Sequence, residues 1–258
     1  MTHVVMTNAF LLGTGAVAAN ESFLERRWKM QRNNTHWCFA WFHGKATGAG
    51  TTRAALQKDA KWASGDTIRV AFLEGDNRLQ QRVRDVAKKW IAPGVANLNL
   101  TFVESANADV RIRFLQGNGS WSTVGTTCRQ VPANQATMNY GWINAESPDD
   151  DLSGVVLHEF GHALGLIHEH QNPAGGIQWN REAVIKDLSG PPNNWSVEQI
   201  EFNVLAPASS QDVDATPLDP TSIMMYPIPA SWTMNGFSTG TNSDLSEMDL
   251  KFIRKQYI

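Results

Sequence analysis

Between Asp66 and Phe114 the apolar residues recur at two distinct periods. Ile68, Val70 and Phe72 alternate with Thr67, Arg69 and Ala71, the period of a strand whose two faces differ. Gly75-Asp76-Asn77 ends that run. Leu79, Val83, Val86 and Trp90 then recur at helical spacing with Arg, Gln, Lys and Asp between them, which predicts an amphipathic helix closed by Pro93-Gly94. Leu98, Leu100 and Phe102 alternate again, as do Val110, Ile112 and Phe114. Strand, helix, strand, strand predicts a mixed sheet with a helix packed on one face.

Beyond Gly117 the chain is rich in Gly and Thr, then recovers at Thr137-Met138-Asn139-Tyr140-Gly141-Trp142. One irregular edge strand and one inner strand fit this stretch. Asp149-Asp150-Asp151 predicts a helix start, because carboxylates suit the unpaired N–H groups and positive dipole end of a first turn. Near the C-terminus, Ser246 can cap a helix with Asp249 three residues on. Leu245 can staple to Leu250, and Phe252, Ile253 and Tyr257 form the apolar face. Residues 20–64 follow no clean period, and the Gly-rich stretch 44–50 reads as an exposed linker. No strand of the sheet is expected before Asp66.

Composition narrows the class. The chain has 258 residues, room for one large domain or two small ones. With 22 Lys and Arg against 25 Asp and Glu, the net charge of −3 offers no basic footprint for nucleic acid or a polybasic membrane contact. No apolar run reaches the roughly 18 residues that a membrane-spanning helix needs. Residues 4–19 are mostly small and apolar, and Ala16-Val17-Ala18 looks like a cleavage tripeptide. A signal peptide over residues 1–19 and an ordinary buried N-terminal segment are the two readings; the first implies secretion. Two cysteines, Cys38 and Cys128, allow at most one internal disulfide, and two free thiols are the alternative. The tryptophans between residues 28 and 62 suit either a sugar-binding face or core packing, and packing is the commoner use.

The candidate chemistry lies at His158-Glu159-Phe160-Gly161-His162-Ala163-Leu164-Gly165-Leu166-Ile167-His168. On a helix His158 and His162 are one turn apart, so both imidazoles project from one face and can share a metal ion. Glu159 adjoins the first ligand and can reach a water on the metal without ligating, which suits a general base for hydrolysis. Gly165 accepts a left-handed conformation, so the chain can turn and return His168 as a third ligand. Three protein nitrogens leave a position open, the arrangement of a catalytic zinc site. His170 lies beyond the turn, outside the ligand set or on the surface.

This H-E-x-x-H-x-x-G-x-x-H run resembles the zinc signature of the metzincin metalloendopeptidases. Glu169 after the third histidine is similar to the astacin branch. Ser222-Ile223-Met224-Met225-Tyr226 resembles the Met-turn, which implies Met224 beneath the ligands and Tyr226 as a switchable phenol ligand with a catalytic role. Gly119-Ser120-Trp121-Ser122-Thr123-Val124-Gly125 resembles the edge strand that pairs with substrate, so Trp121, Ser122, Thr123 and Val124 are expected along an extended peptide. Leu245 to Asp249 resembles the start of the last metzincin helix.

The resemblance implies an α+β fold with an α/β-type upper subdomain. A twisted, mixed five-stranded sheet, a backing helix and an active-site helix would fill residues 66–165. An irregular lower subdomain, 166–258, would end in a C-terminal helix. Residues 1–65 would be a signal peptide, a pro-segment or a packed arm. The implied activity is zinc-dependent endopeptidase action on extended polypeptides by a monomer with one catalytic Zn2+. In astacins the activated N-terminus pairs with the glutamate equivalent to Glu169. This chain departs from that branch in lacking its two disulfides, with Ser120 at one half-cystine position, and in lacking the F-x-G-D pro-segment motif within residues 1–65. Cys38 could instead serve as a thiolate plug on zinc. The rival readings are a zinc-dependent amidase on a non-protein amide and a catalytically silent zinc-bearing binding module; Glu159 speaks against the latter, since binding needs no base.

Overall fold

The computed structural model describes residues 39–41, 56–104, 108–191, 193–211 and 213–258. The alternating segments become strands β3 (Thr67–Phe72), β4 (Asn99–Phe102) and β5 (Val110–Arg113), and the amphipathic segment becomes helix α1 (Asn77–Ala87). Asp76 caps α1 by accepting from the Leu79 N–H, and a 3-10 turn, Lys88–Ile91, extends it to Trp90. β6 (Trp121–Thr123) and β7 (Met138–Asn139) complete the five strands expected. β3, β4, β5 and β7 pair in parallel, while β6 runs antiparallel to β7. The fold is α+β with a mixed sheet.

A sixth strand departs from the sequence expectation. β1 (Phe39–Trp41) joins the sheet outside β6, giving the order β1-β6-β7-β5-β3-β4. It runs parallel to β6, with Phe39 opposite Trp121 and Trp41 opposite Thr123. Three residues show too little alternation to announce a strand, and the pairing is long-range. A shorter strand, β2 (Leu56–Gln57), pairs antiparallel with β8 (Val213–Asp214). Residues ahead of Asp66 thus contribute to both sheets.

Arg111 of β5 explains why the irregular loop between β6 and β7 holds its shape. Its buried guanidinium donates to the carbonyls of Ala108, Val131, Pro132 and Gln135. A buried charge satisfied this fully pins four backbone positions at once. Cys128 nearby is a free, buried thiol whose pKa burial pushes up to about 12, so it stays protonated. Cys38 and the proposed signal peptide lie outside the described residues.

Helix α2 (Asp149–Ala163) packs across the sheet with α1. Its cap residue is Pro148, and the three aspartates occupy the first turn. Arg82 of α1 ties that end down, donating to the carbonyls of Ala145 and Ser147 and to Asp149 Oδ1. Below lie α3 (Arg181–Ser189), the short α4 (Val197–Ile200) and the C-terminal α5 (Glu247–Tyr257). α5 begins with the capping box expected of Ser246 and Asp249. The main core joins β3, β5, α1, α2 and α5, while Val184, Leu188, Ile200, Met225 and Tyr226 belong to a second core. Among the described residues no helix is long and apolar enough to cross a membrane.

Candidate metal centre

Helix α2 carries His158, Glu159 and His162, and its end is closed with unusual completeness. Gly165 takes φ +98°, its N–H donates to His162 O, and the Leu166 N–H donates to Gly161 O. These two bonds form a Schellman motif, which only a residue at ease in the left-handed region completes without strain. The remaining terminal carbonyls accept from side chains: Trp62 Nε1 reaches Ala163 O at 2.8 Å and Tyr257 Oη reaches Leu164 O at 2.6 Å. Trp62, fully buried, is therefore core and not a sugar-binding face.

The turn brings His168 back to the helix. The ligand-capable atoms of His158, His162 and His168 all lie within 4.8 Å of one another, and the Nε2 atoms of His162 and His168 converge to 3.1 Å. Each helical histidine is oriented from behind. His158 Nδ1 donates to Ile223 O at 2.7 Å and His162 Nδ1 to Leu166 O at 2.8 Å. Committing Nδ1–H to a carbonyl leaves the Nε2 lone pair for a metal. Burial lowers the His158 pKa to about 4 and holds His162 well below the ordinary value, with the His158 charge adding to the effect. The imidazoles are thus neutral, as ligands must be. This donor set fits a zinc ion with three nitrogen ligands.

Glu159, beside the first ligand, is fully buried. Beneath the helix, Met224 packs against Gly161, where a Cβ would lie 2.3 Å from Met224 Sδ. Gly161 therefore lets the Met-turn approach, a role that the bare motif does not reveal. The turn itself is held by α5: Asp249 accepts from Ser222 Oγ, Ile223 N–H and Ser246 N–H at 2.7–2.9 Å. The backbone of the single residue Ile223 so links Asp249 to His158, its N–H on the carboxylate and its carbonyl on the imidazole. Tyr226, also buried, sets its ring 4.2 Å from that of His168 and 6.1 Å from that of His158. Glu169 is not part of the convergent group. Its Oε1 accepts from Asn172 Nδ2 and the Asp219 N–H, and burial raises its pKa to about 7, with those bonds opposing and the charges of Asp249 and Asp219 assisting.

The family model for Astacin, a peptidase family, matches residues 55–258. The chain belongs to the astacin family. Its astacin domain is a zinc metallopeptidase domain, and His158, His162 and His168 are its zinc-binding group. It is similar to zinc metalloproteinase nas-38 of Caenorhabditis elegans, with 26% identity over 167 residues, 64% of this chain and 20% of that protein. The chain thus spans a fifth of that relative's length. A solved structure of myroilysin is 39% identical, with a TM-score of 0.76, covering 79% of this chain and 98% of the other. The hatching enzyme HCE-1 of Oryzias latipes, 17% identical at a TM-score of 0.53 over 80% of this chain and 98% of the other, shows the shared fold.

The structure brings together most of the residues expected at the site. His158, Glu159, His162, Gly165, His168, Met224 and Tyr226 belong to one constellation. Trp121, Ser122 and Thr123 form β6, and Val124 follows it. Of the two readings for His170, the structure takes the one outside the ligand set: it is buried beside Tyr226 and not on the surface.

Proposed function

We propose that the whole chain is an endopeptidase of extended polypeptides, with Glu159 as general base and acid and Tyr226 as a second catalytic group. The observation that carries this is the convergence of three histidines, two of them held from behind by backbone carbonyls, beside a buried glutamate. A bound zinc ion would supply Lewis-acid activation of the scissile carbonyl and of water. Glu159 takes the proton from the attacking water and returns it to the departing amine nitrogen. Tyr226 donates its phenolic O–H to the oxyanion, an interaction stronger in the transition state than in the ground state. β6 offers backbone groups to a substrate running antiparallel to it, and the loop 227–233 borders the side-chain pockets.

The direction of β1 supports a latency role for the chain ahead of the domain. β1 lies parallel along β6, where a substrate would lie antiparallel, so it occupies the groove in the non-productive sense. Residues 1 to about 55 are then a pro-segment, removed on activation, in a secreted monomer. Casein hydrolysis with and without a chelator tests the activity: chelator-sensitive cleavage is expected, and hydrolysis of non-protein amides alone would favour the amidase reading. Mass spectrometry of the active species should find a new N-terminus beyond Trp41. Full activity in the uncut chain would refute the pro-segment.

A further inference from the structure

His170 is not among the three convergent ligands, yet it is as buried as they are. It sits in the 3-10 turn Glu169–Gln171, just past the last ligand. Its ring faces that of Tyr226, with centroids 4.4 Å apart and planes 19° from parallel. Trp179 meets His170 edge-on at 6.2 Å. His170 Nε2 donates to Asn203 O at 3.0 Å. That carbonyl belongs to a π-helical turn, Glu201–Leu205, the wide form of helix that is rare and concentrates at functional sites. Gln171 Nε2 clamps the same turn through Phe202 O and Ala206 O. The lower subdomain thus holds one imidazole rigidly, and that imidazole holds one phenol.

We propose that His170 is a positioning residue for Tyr226, the wall against which the phenol ring rests and which sets where its oxygen lies beside the three ligands. The proposal rests on the catalytic reading of Tyr226 given above. Two features of the ring pair support it. First, a parallel stack restrains a ring through its face and not through its oxygen, whereas a hydrogen bond to the oxygen would compete with its chemistry. Second, the Nε2 bond to Asn203 O fixes the His170 ring at its edge and leaves the stacked face to the phenol, so the wall is held independently of Tyr226. His170 faces the phenol ring at van der Waals distance and so offers it a fixed surface.

The test separates ring from hydrogen bond. His170→Phe keeps a ring and loses the donor; His170→Gln keeps a donor for Asn203 O and loses the ring. Each is made in the parent and in Tyr226→Phe. We expect His170→Gln to lower kcat about threefold to tenfold with little change in KM and unchanged zinc content, and His170→Phe to keep more than half of the parent kcat. In the Tyr226→Phe background His170→Gln should have no further effect. An equal loss in both backgrounds, or a His170→Phe protein as impaired as His170→Gln, overturns the proposal.

A readout independent of turnover comes from 3-fluorotyrosine, since the chain has only Tyr140, Tyr226 and Tyr257. In metal-free protein, His170→Gln should shift the 19F resonance assigned to Tyr226 and leave the other two in place. An unmoved Tyr226 resonance denies the contact, and movement of all three marks a general structural change; either overturns the proposal. Unchanged turnover in Tyr226→Phe alone would instead remove the catalytic reading of Tyr226, and with it any role for His170 in catalysis.

Discussion

Glu159 and Glu169 are buried carboxylates on either side of the helix terminus, and their surroundings assign them different work. Glu159 stands beside the first ligand, so its substitution separates chemistry from coordination. Glu159→Gln should retain zinc and melting temperature while losing at least about 10²-fold in turnover, the usual scale of general acid–base catalysis. Elemental analysis with steady-state kinetics checks it, and a variant above about a tenth of the parent rate would remove Glu159 from proton transfer. Glu169 predicts a pH effect. Burial raises its pKa from 4.5 to about 7, so between those values the folded protein keeps a proton that the unfolded chain releases. The stability it contributes is complete below 4.5 and is lost as pH rises through 7. Gln at this position mimics the protonated acid, and its oxygen can still accept from Asn172 and Asp219. In metal-free protein, Glu169→Gln should melt with the parent below pH 4.5 and above it at pH 8, by at most about 3 kcal/mol. The buried histidines shift in the opposite sense, but they are common to both proteins and cancel. A constant gap across this pH range would exclude Glu169 as the source.

At the scale of elements, the site depends on how closely helix α2 and the Met-turn approach. Ala at Gly161 would favour the helix by about 1 kcal/mol, yet its Cβ would meet Met224 Sδ at 2.3 Å in a packed core. Overpacking of this kind costs about 1–3 kcal/mol, so Gly161→Ala should lower the melting temperature. In a Met224→Ala background the sulfur is gone, and the same change should become stabilising. Thermal melts of the four proteins decide it; a destabilisation that survives Met224→Ala would place the conflict elsewhere, with Trp90 as the next neighbour. The elements themselves differ in how plainly their sequences announced them. α1 repeats its apolar face over three turns, whereas β1 and β2 span three and two residues and form only because β6 and β8 present partners. Pairing energy that comes from a distant segment leaves no local period.

For the whole molecule, the three ligands join α2 to the chain beyond Gly165, while Asp249 and Ser222 fasten the Met-turn to α5. Zinc therefore ties together parts that folding must first assemble. Saturation at about 100 times Kd should add about 2.7 kcal/mol, roughly 5–10 °C in Tm for a domain of this size. Calorimetry with and without chelator measures this. His162→Ala should hold little zinc and should show no such difference, and a fully zinc-loaded His162→Ala protein would count against the ligand set.

The sequence by itself determined the ligand spacing, the glycine that turns the chain, the glutamate beside the first ligand and the strand–helix–strand order of the sheet. Each is a local pattern, because helical and extended periods place neighbouring side chains without reference to the rest of the chain. Tertiary structure alone decided which carbonyls orient His158 and His162, that Trp62 and Tyr257 close the end of α2, that β1 lies along β6, and that His170 faces Tyr226. These contacts join residues far apart in sequence, or depend on the exact exit angle of a turn. Their free energy exists only once the partners have met, so no period in the chain records it.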